Sequence, residues 1–248
     1  MPTVTVENQG DIAIVRLDNG VTNAINPAML AELDLALVQA RENSTGLLLA
    51  GGVKFFSIGF DLPALLKLDR PQFTDFWCSF NQTFIDIYTL PIPTVCAITG
   101  HAIAGGAVLS LAPDFRIGAS GNKQIGLNEV KLGIPVPYST DLVLRQLVGD
   151  RAATDMIYRG DFITPSEAAK IGLVDEVTDM EAVEQRALEK LQTLAAQPQP
   201  AFVAVKQNRT EAIRRQYEKL HTEKDEYFIT CWFSEPVQAL LAKAAKTF

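Results

Sequence analysis

Thr94-Val-Cys-Ala-Ile-Thr99 runs straight into Gly100-His-Ala-Ile-Ala-Gly-Gly106. This reads as a fully apolar strand that breaks into a turn of small residues before a short buried helix at Ala107–Leu111. The same plan occurs once upstream. Gly46-Leu-Leu-Leu-Ala50 ends in Gly51-Gly52 and leads into Phe55-Phe-Ser-Ile-Gly-Phe-Asp-Leu62. A turn of this kind between strand and helix leaves backbone N–H groups without intrahelical partners and aims them into a cleft. A pair of such donors stabilises an enolate or thioester oxyanion, by about 2.7–4 kcal/mol per donor in acyl transfer.

Outward from these turns the chain alternates short strands with helices. Val4 and Val6, then Ile12, Ile14 and Leu17, flank Gly10-Asp11 and predict a β-hairpin. Asn26 as N-cap and Pro27 at the first helical position open a helix whose apolar face is Met29, Leu30, Leu33, Leu37 and Val38. An aromatic helix is expected over 71–89, ended by Pro91 and Pro93, with short strands at 115–117 and 123–125. Helices follow at 139–148, 152–159, 165–171 (capped by Thr164) and 180–196. After the break at Pro198 and Pro200, 201–247 is polar and mostly helical. The pattern predicts an α/β core over 1–195 and a helical C-terminal region over 196–248, without internal repeats.

Composition narrows the chemistry. A net charge of −7 argues against nucleic acid as the main partner, since phosphate binding needs clustered Lys and Arg. Cys78, Cys96 and Cys231 are far apart, so no zinc site or disulfide framework is expected, and a reduced, cytoplasmic setting is the plain reading. Neither a membrane span nor a signal peptide is expected. There is no G-x-S-x-G elbow, dinucleotide fingerprint or P-loop, and no metal-ligand cluster is visible. His101 in its glycine turn reads as structural or partly exposed, and His221 as solvated on a charged helix. Glu129, on spacing alone, reads as a turn cap or a surface partner of Lys131.

Taken together, Asn23-Ala-Ile-Asn26, Phe56 through Leu62, Gly100 through Gly106, Asp114-Phe-Arg-Ile117 and Ile125 through Ile134 resemble the crotonase (enoyl-CoA hydratase/isomerase) superfamily in order and spacing. The likeness covers essentially the whole chain. It is strongest to the mitochondrial-type Δ3,Δ2-enoyl-CoA isomerases. The resemblance implies a spiral of ββα units with a helical C-terminal trimerisation region, assembling as a homotrimer or dimer of trimers. It implies an acyl-CoA thioester as substrate and no separate cofactor. The oxyanion donors would be the backbone N–H groups of Ile58 and Gly105. Thr22, Asn23 and Ala24, with the loop containing Ser57, Phe60 and Asp61, would line the pantetheine and adenine pockets. Lys243 or Lys246 would approach a phosphate. Asp61 would be structural and Asp114 would anchor a strand end.

Two departures from the family pattern carry the functional expectation. Ile58 replaces a small alanine and should narrow the acyl pocket. Hydratases of the family carry two glutamates, one of them three residues after the second oxyanion glycine, and here that position is Val108. Hydration needs one group to activate water and another to manage the α-proton, so half of that equipment is missing. Glu129 fills the other position and suffices for a double-bond shift, provided an apolar wall from Val108, Leu127, Ile134 and Val136 raises its pKa. The expected activity is Δ3,Δ2-enoyl-CoA isomerisation. The alternatives are another CoA-thioester reaction on the same fold (hydrolysis, decarboxylation or weak hydration) or a non-catalytic acyl-CoA-binding protein.

Overall fold

A computed structural model describes residues 2–247, so Met1 and Phe248, the outer ends of the two expected regions, lie outside the described residues. The hairpin forms as β1 (Val4–Gln9) and β2 (Ile12–Leu17), paired antiparallel. Helix α1 (Pro27–Asn43) follows, and the Asn26 side chain accepts from Met29 N–H at 3.0 Å, which caps the first turn.

Three ββα turns come next. The first is β3 (Gly46–Ala50), β4 (Phe55–Ser57) and helices α2 (Leu62–Leu65) and α3 (Arg70–Thr89). The second is β5 (Thr94–Ile98), β6 (His101–Ile103) and α4 (Gly105–Leu111), and the third is β7 (Phe115–Ala119), β8 (Ile125–Gly126) and α5 (Tyr138–Arg159). The chain then adds α6 (Pro165–Lys170), β9 (Glu176–Thr178), α7 (Val183–Ala195), α8 (Gln199–Trp232) and α9 (Glu235–Ala244).

Each ββα turn gives one strand to each of two sheets. The larger has the order β1-β2-β3-β5-β7-β9, parallel beyond the hairpin; the smaller is β4-β6-β8, also parallel. This two-sheet spiral is the crotonase-type α/β fold. The central strand β3 is apolar and buried at every position because both faces of the sheet are covered there. Leu47 and Leu49 join the main core with Cys96 and Ile98, whereas Leu48 and Ala50 pack with Val95 and Ala97 against Val183, Ala187 and Leu191 of α7.

Two sequence expectations shift. Strands β4 and β6 of the small sheet lie inside the segments read as turns, since each runs only three residues. The strand expected at 123–125 is confined to Ile125–Gly126. The helices expected at 139–148 and 152–159 both form within α5, separated at Gly149, whose φ of +79° and ψ of 159° interrupt the helical run. Asp114 does anchor a strand end: its Oδ2 accepts from Thr94 N–H at 2.8 Å and from the buried Lys206 of α8 at 2.8 Å.

The spiral brings the two glycine turns into direct contact. A Cβ on Gly106 would lie 2.2 Å from the Ser57 carbonyl oxygen, so α4 meets β4 only because residue 106 has no side chain. Gly106→Ala is therefore expected to lower stability by about 1–3 kcal/mol through overpacking. Urea unfolding followed by circular dichroism checks this, as a lowered midpoint at unchanged m-value.

Candidate active site

The first turn pairs with the segment 22–25 in an interrupted parallel ladder. Ile58 N–H donates to Thr22 C=O at 2.9 Å. In a regular ladder the next bond from the same strand would run from Phe60 N–H to Ala24 C=O. Gly59, at φ +97°, turns the chain instead. Ile25 N–H then donates to Gly59 C=O at 2.7 Å, and Asp61 N–H to Ile25 C=O at 2.9 Å. Phe60 N–H is left out of the ladder, and Ala24 C=O accepts from Asn19 Nδ2 at 2.7 Å.

This corrects the expected donor: Ile58 N–H is occupied, and the N–H turned away from the ladder is that of Phe60. Gly105 N–H, at the first position of α4, has no intrahelical acceptor. It lies close to the same turn, since a Cβ on Gly59 would be 2.9 Å from Gly105 N. Ala104, before it, holds φ +47° and ψ −122°, a conformation costly for a residue with a side chain. Strain of about 1–3 kcal/mol of this kind persists where the surroundings over-determine the backbone.

Both donors border a cavity of about 380 Å³, which Ile58, Phe60, Gly105, Val108 and Glu129 line together. Among its described lining residues Glu129 is the sole carboxylate. Its partners are few. Lys131, the surface partner suggested by spacing, pairs with Asp161 at 2.7 Å instead. Glu129 Oε2 is buried with no hydrogen-bond partner, and Asn128 Oδ1 beside it is in the same state. Burial among apolar groups pushes the Glu129 carboxyl up from 4.5 to about 7, offset only in part by its own backbone N–H. Val108 and Ile134 do form part of that wall, with Leu132 and Pro137; Leu127 and Val136 do not line the cavity.

Thr22, Asn23, Ala24, Ser57 and Asp61 also do not line it. They build the frame behind the first turn. Asn23, at φ +46°, is buried and donates to Phe56 C=O at 3.1 Å. Ser57 Oγ donates to Asn23 C=O at 2.7 Å and accepts from Gly59 N–H at 3.1 Å. Asp61 caps α2 by accepting from Ala64 N–H at 3.0 Å. His101 does line the cavity, but its Nδ1 accepts from Gln124 N–H at 3.0 Å, and burial with nearby Lys123 and Lys54 lowers its pKa. No group of three or more metal-ligating side chains occurs among the described residues, and no helix there is long and apolar enough to cross a membrane.

The family described as Enoyl-CoA hydratase/isomerase matches residues 7–238. The chain belongs to the enoyl-CoA hydratase/isomerase family. Within it, the mitochondrial enoyl-CoA delta isomerase 1 of Rattus norvegicus is 31% identical over 192 residues, and that of Mus musculus 30% over 190. Each match covers 74% of this chain and 66% of the relative's length. The human mitochondrial delta3-delta2-enoyl-CoA isomerase superposes with a TM-score of 0.94 at 26% identity, covering 99% of this chain and 97% of that one. An enoyl-CoA hydratase from Bacillus halodurans reaches 0.88 at 22% identity over 97% of this chain and 99% of that one. A hydratase and an isomerase thus share one backbone, and family membership leaves the reaction to be argued from the side chains.

The C-terminal contribution to this enoyl-CoA hydratase/isomerase cavity went unseen in the sequence. Phe228 and Trp232 of α8 line it, and their i, i+4 spacing in an otherwise polar helix was the available signal. Asn128 was hidden by its neighbour Glu129, and Phe162 lies on a connection that carries no periodicity.

The raised carboxyl has a thermodynamic consequence. Because the folded value lies above the unfolded one, stability is fully present below pH 4.5 and is lost as pH rises to about 7. Above that the ionised form costs up to about 3 kcal/mol. Glu129→Gln, an isostere of the neutral acid, is expected to be more stable than the wild type by that order at pH 8. The gain shrinks to under about 1 kcal/mol at pH 5. Urea midpoints of both proteins across this range measure it.

Proposed function

We propose that this protein is a Δ3,Δ2-enoyl-CoA isomerase. The observation that carries the reading is the solitary carboxylate: Glu129 lines the cavity with an unpartnered oxygen, and Val108 stands where a second acid would be needed for hydration. In this reading Glu129 removes a C2 proton from a 3-enoyl thioester. The resulting dienolate oxygen receives the N–H groups of Phe60 and Gly105, and the protonated Glu129 returns the proton at C4. The carboxyl must act first as base and then as acid, and a value near 7 suits both steps at neutral pH. Atoms and charge balance within enzyme and substrate, so the proposal assigns no cofactor. The family resemblance extends it to a homotrimer or dimer of trimers.

The test is to incubate the protein with 3-hexenoyl-CoA and, separately, with 2-hexenoyl-CoA and follow the conjugated-thioester absorbance. The isomerase conjugates the first and leaves the second unhydrated; hydration of the second overturns the single-carboxylate argument. Glu129→Gln lowers turnover by roughly 10²–10⁴-fold while CoA-thioester binding persists. The wild-type kcat/KM declines on the acid side of about pH 7, as the base takes up its proton before substrate arrives.

A further inference from the structure

The cavity that holds Glu129 is not the only empty space at this end of the molecule. An open groove of about 830 Å³ lies beside it, and Trp77, Ile134, Pro137 and Phe228 line both. Residues that border two spaces form the partition between them. At its centre the rings of Trp77 and Phe228 are stacked, with centroids 3.4 Å apart and planes at 12°. Neither is more than 2% exposed.

The indole is fixed in place from a second helix. Trp77 Nε1 on α3 donates to Asp225 Oδ1 on α8 at 2.8 Å, and Asn81 Nδ2 donates to the same oxygen at 3.0 Å. Asp225 Oδ2 lies 3.3 Å from His221 Nδ1. A buried carboxylate is costly unless paired, yet Asp225 is 6% exposed and spends one oxygen on the indole and Asn81. A charge-assisted bond is shorter and stronger than one to a neutral acceptor. Rotation of the indole would break that bond and the ring stack together.

We infer that the Trp77–Phe228 partition, held closed by Asp225, limits the acyl chain, so that the cavity takes short acyl thioesters and excludes longer ones. Beyond the wall the groove offers Val136, Ile157, Tyr158 and Tyr227 to the methylenes that the wall turns away, alongside the charged Asp141, Arg145, Asp150 and Lys224. Asp225 is then a positioning residue and acts only through Trp77. The wall also abuts the reacting end: Ile134 N–H donates to Glu129 C=O at 3.2 Å. The inference rests on the acyl-CoA reading of this cavity but not on isomerase turnover.

Calorimetric titration of the full chain with hexanoyl-CoA and decanoyl-CoA tests it without turnover. The wild type binds hexanoyl-CoA at least as tightly as decanoyl-CoA. Trp77→Leu shifts the ratio towards decanoyl-CoA by about tenfold, since each methylene removed from water contributes a factor of roughly four. Asp225→Leu shifts it the same way by less, and Asp225→Asn, which keeps an acceptor for the indole, retains the wild-type ratio. If Trp77→Leu does not fold, the Asp225 pair decides. A wild type that gains the full factor per methylene on decanoyl-CoA overturns the inference. So does an unchanged ratio in folded Trp77→Leu or Asp225→Leu, even with a lowered Tm, which is the mark of a purely structural role. Binding of neither thioester overturns the acyl-CoA reading itself, and the partition's role with it.

Discussion

Everything at the active site depends on how closely two strand-to-helix turns approach. Backbone packs on backbone where Gly106 meets Ser57 and where Gly59 meets Gly105, at separations that leave no room for a Cβ. That contact fixes the first residue of α4 relative to the bend after β4. It makes the N–H groups of Phe60 and Gly105 neighbours while neither is consumed by a ladder or a helix. The donors are rigid because strands β4 and β6 pair beneath them and the buried frame of Asn23 and Ser57 holds the bend. Preorganised dipoles of this kind need no rearrangement when charge develops on a substrate oxygen.

The same cavity carries an opposing cost. Glu129 is buried beside Val108, Ile134 and Pro137 with one oxygen unsatisfied, an arrangement selected against wherever stability alone matters. Locally the protein is less stable at neutral pH than a glutamine version would be. A strained Ala104 and an orphaned Asn128 Oδ1 stand within a few residues of the donors and the base. Conflicts between local preference and final structure that gather around one cavity mark it as the place where function overrides folding.

Much of this was legible in the chain, for identifiable reasons. A short apolar run such as Leu47-Leu48-Leu49, bounded by Gly46 and Gly51-Gly52, suits a strand covered on both faces, and caps such as Asn26 and Thr164 mark helix starts by side-chain chemistry alone. Glu129 stood out because Val108 removed its usual companion. The donor at the first turn was misplaced by two residues because motif spacing does not reveal which amide a ladder consumes. The left-handed Gly59 decides that, by moving the next bond from Phe60 to Asp61. Strands β4 and β6 read as turns because strands of three residues carry no periodicity. The far wall was missed because it comes from α8, whose polar surface conceals Phe228 and Trp232.

That far wall changes how the site is understood as a unit. The proposed oxyanion donors and base come from the ββα spiral, whereas Phe228, Trp232 and the carboxylate that holds Trp77 come from α8. Phe60 joins the two sets. It borders the cavity, and its ring meets Trp77 and Trp232 edge-on at 6.3 and 6.4 Å. In the proposed reaction the oxyanion donor and the Trp77–Phe228 wall are therefore linked through the Phe60 ring.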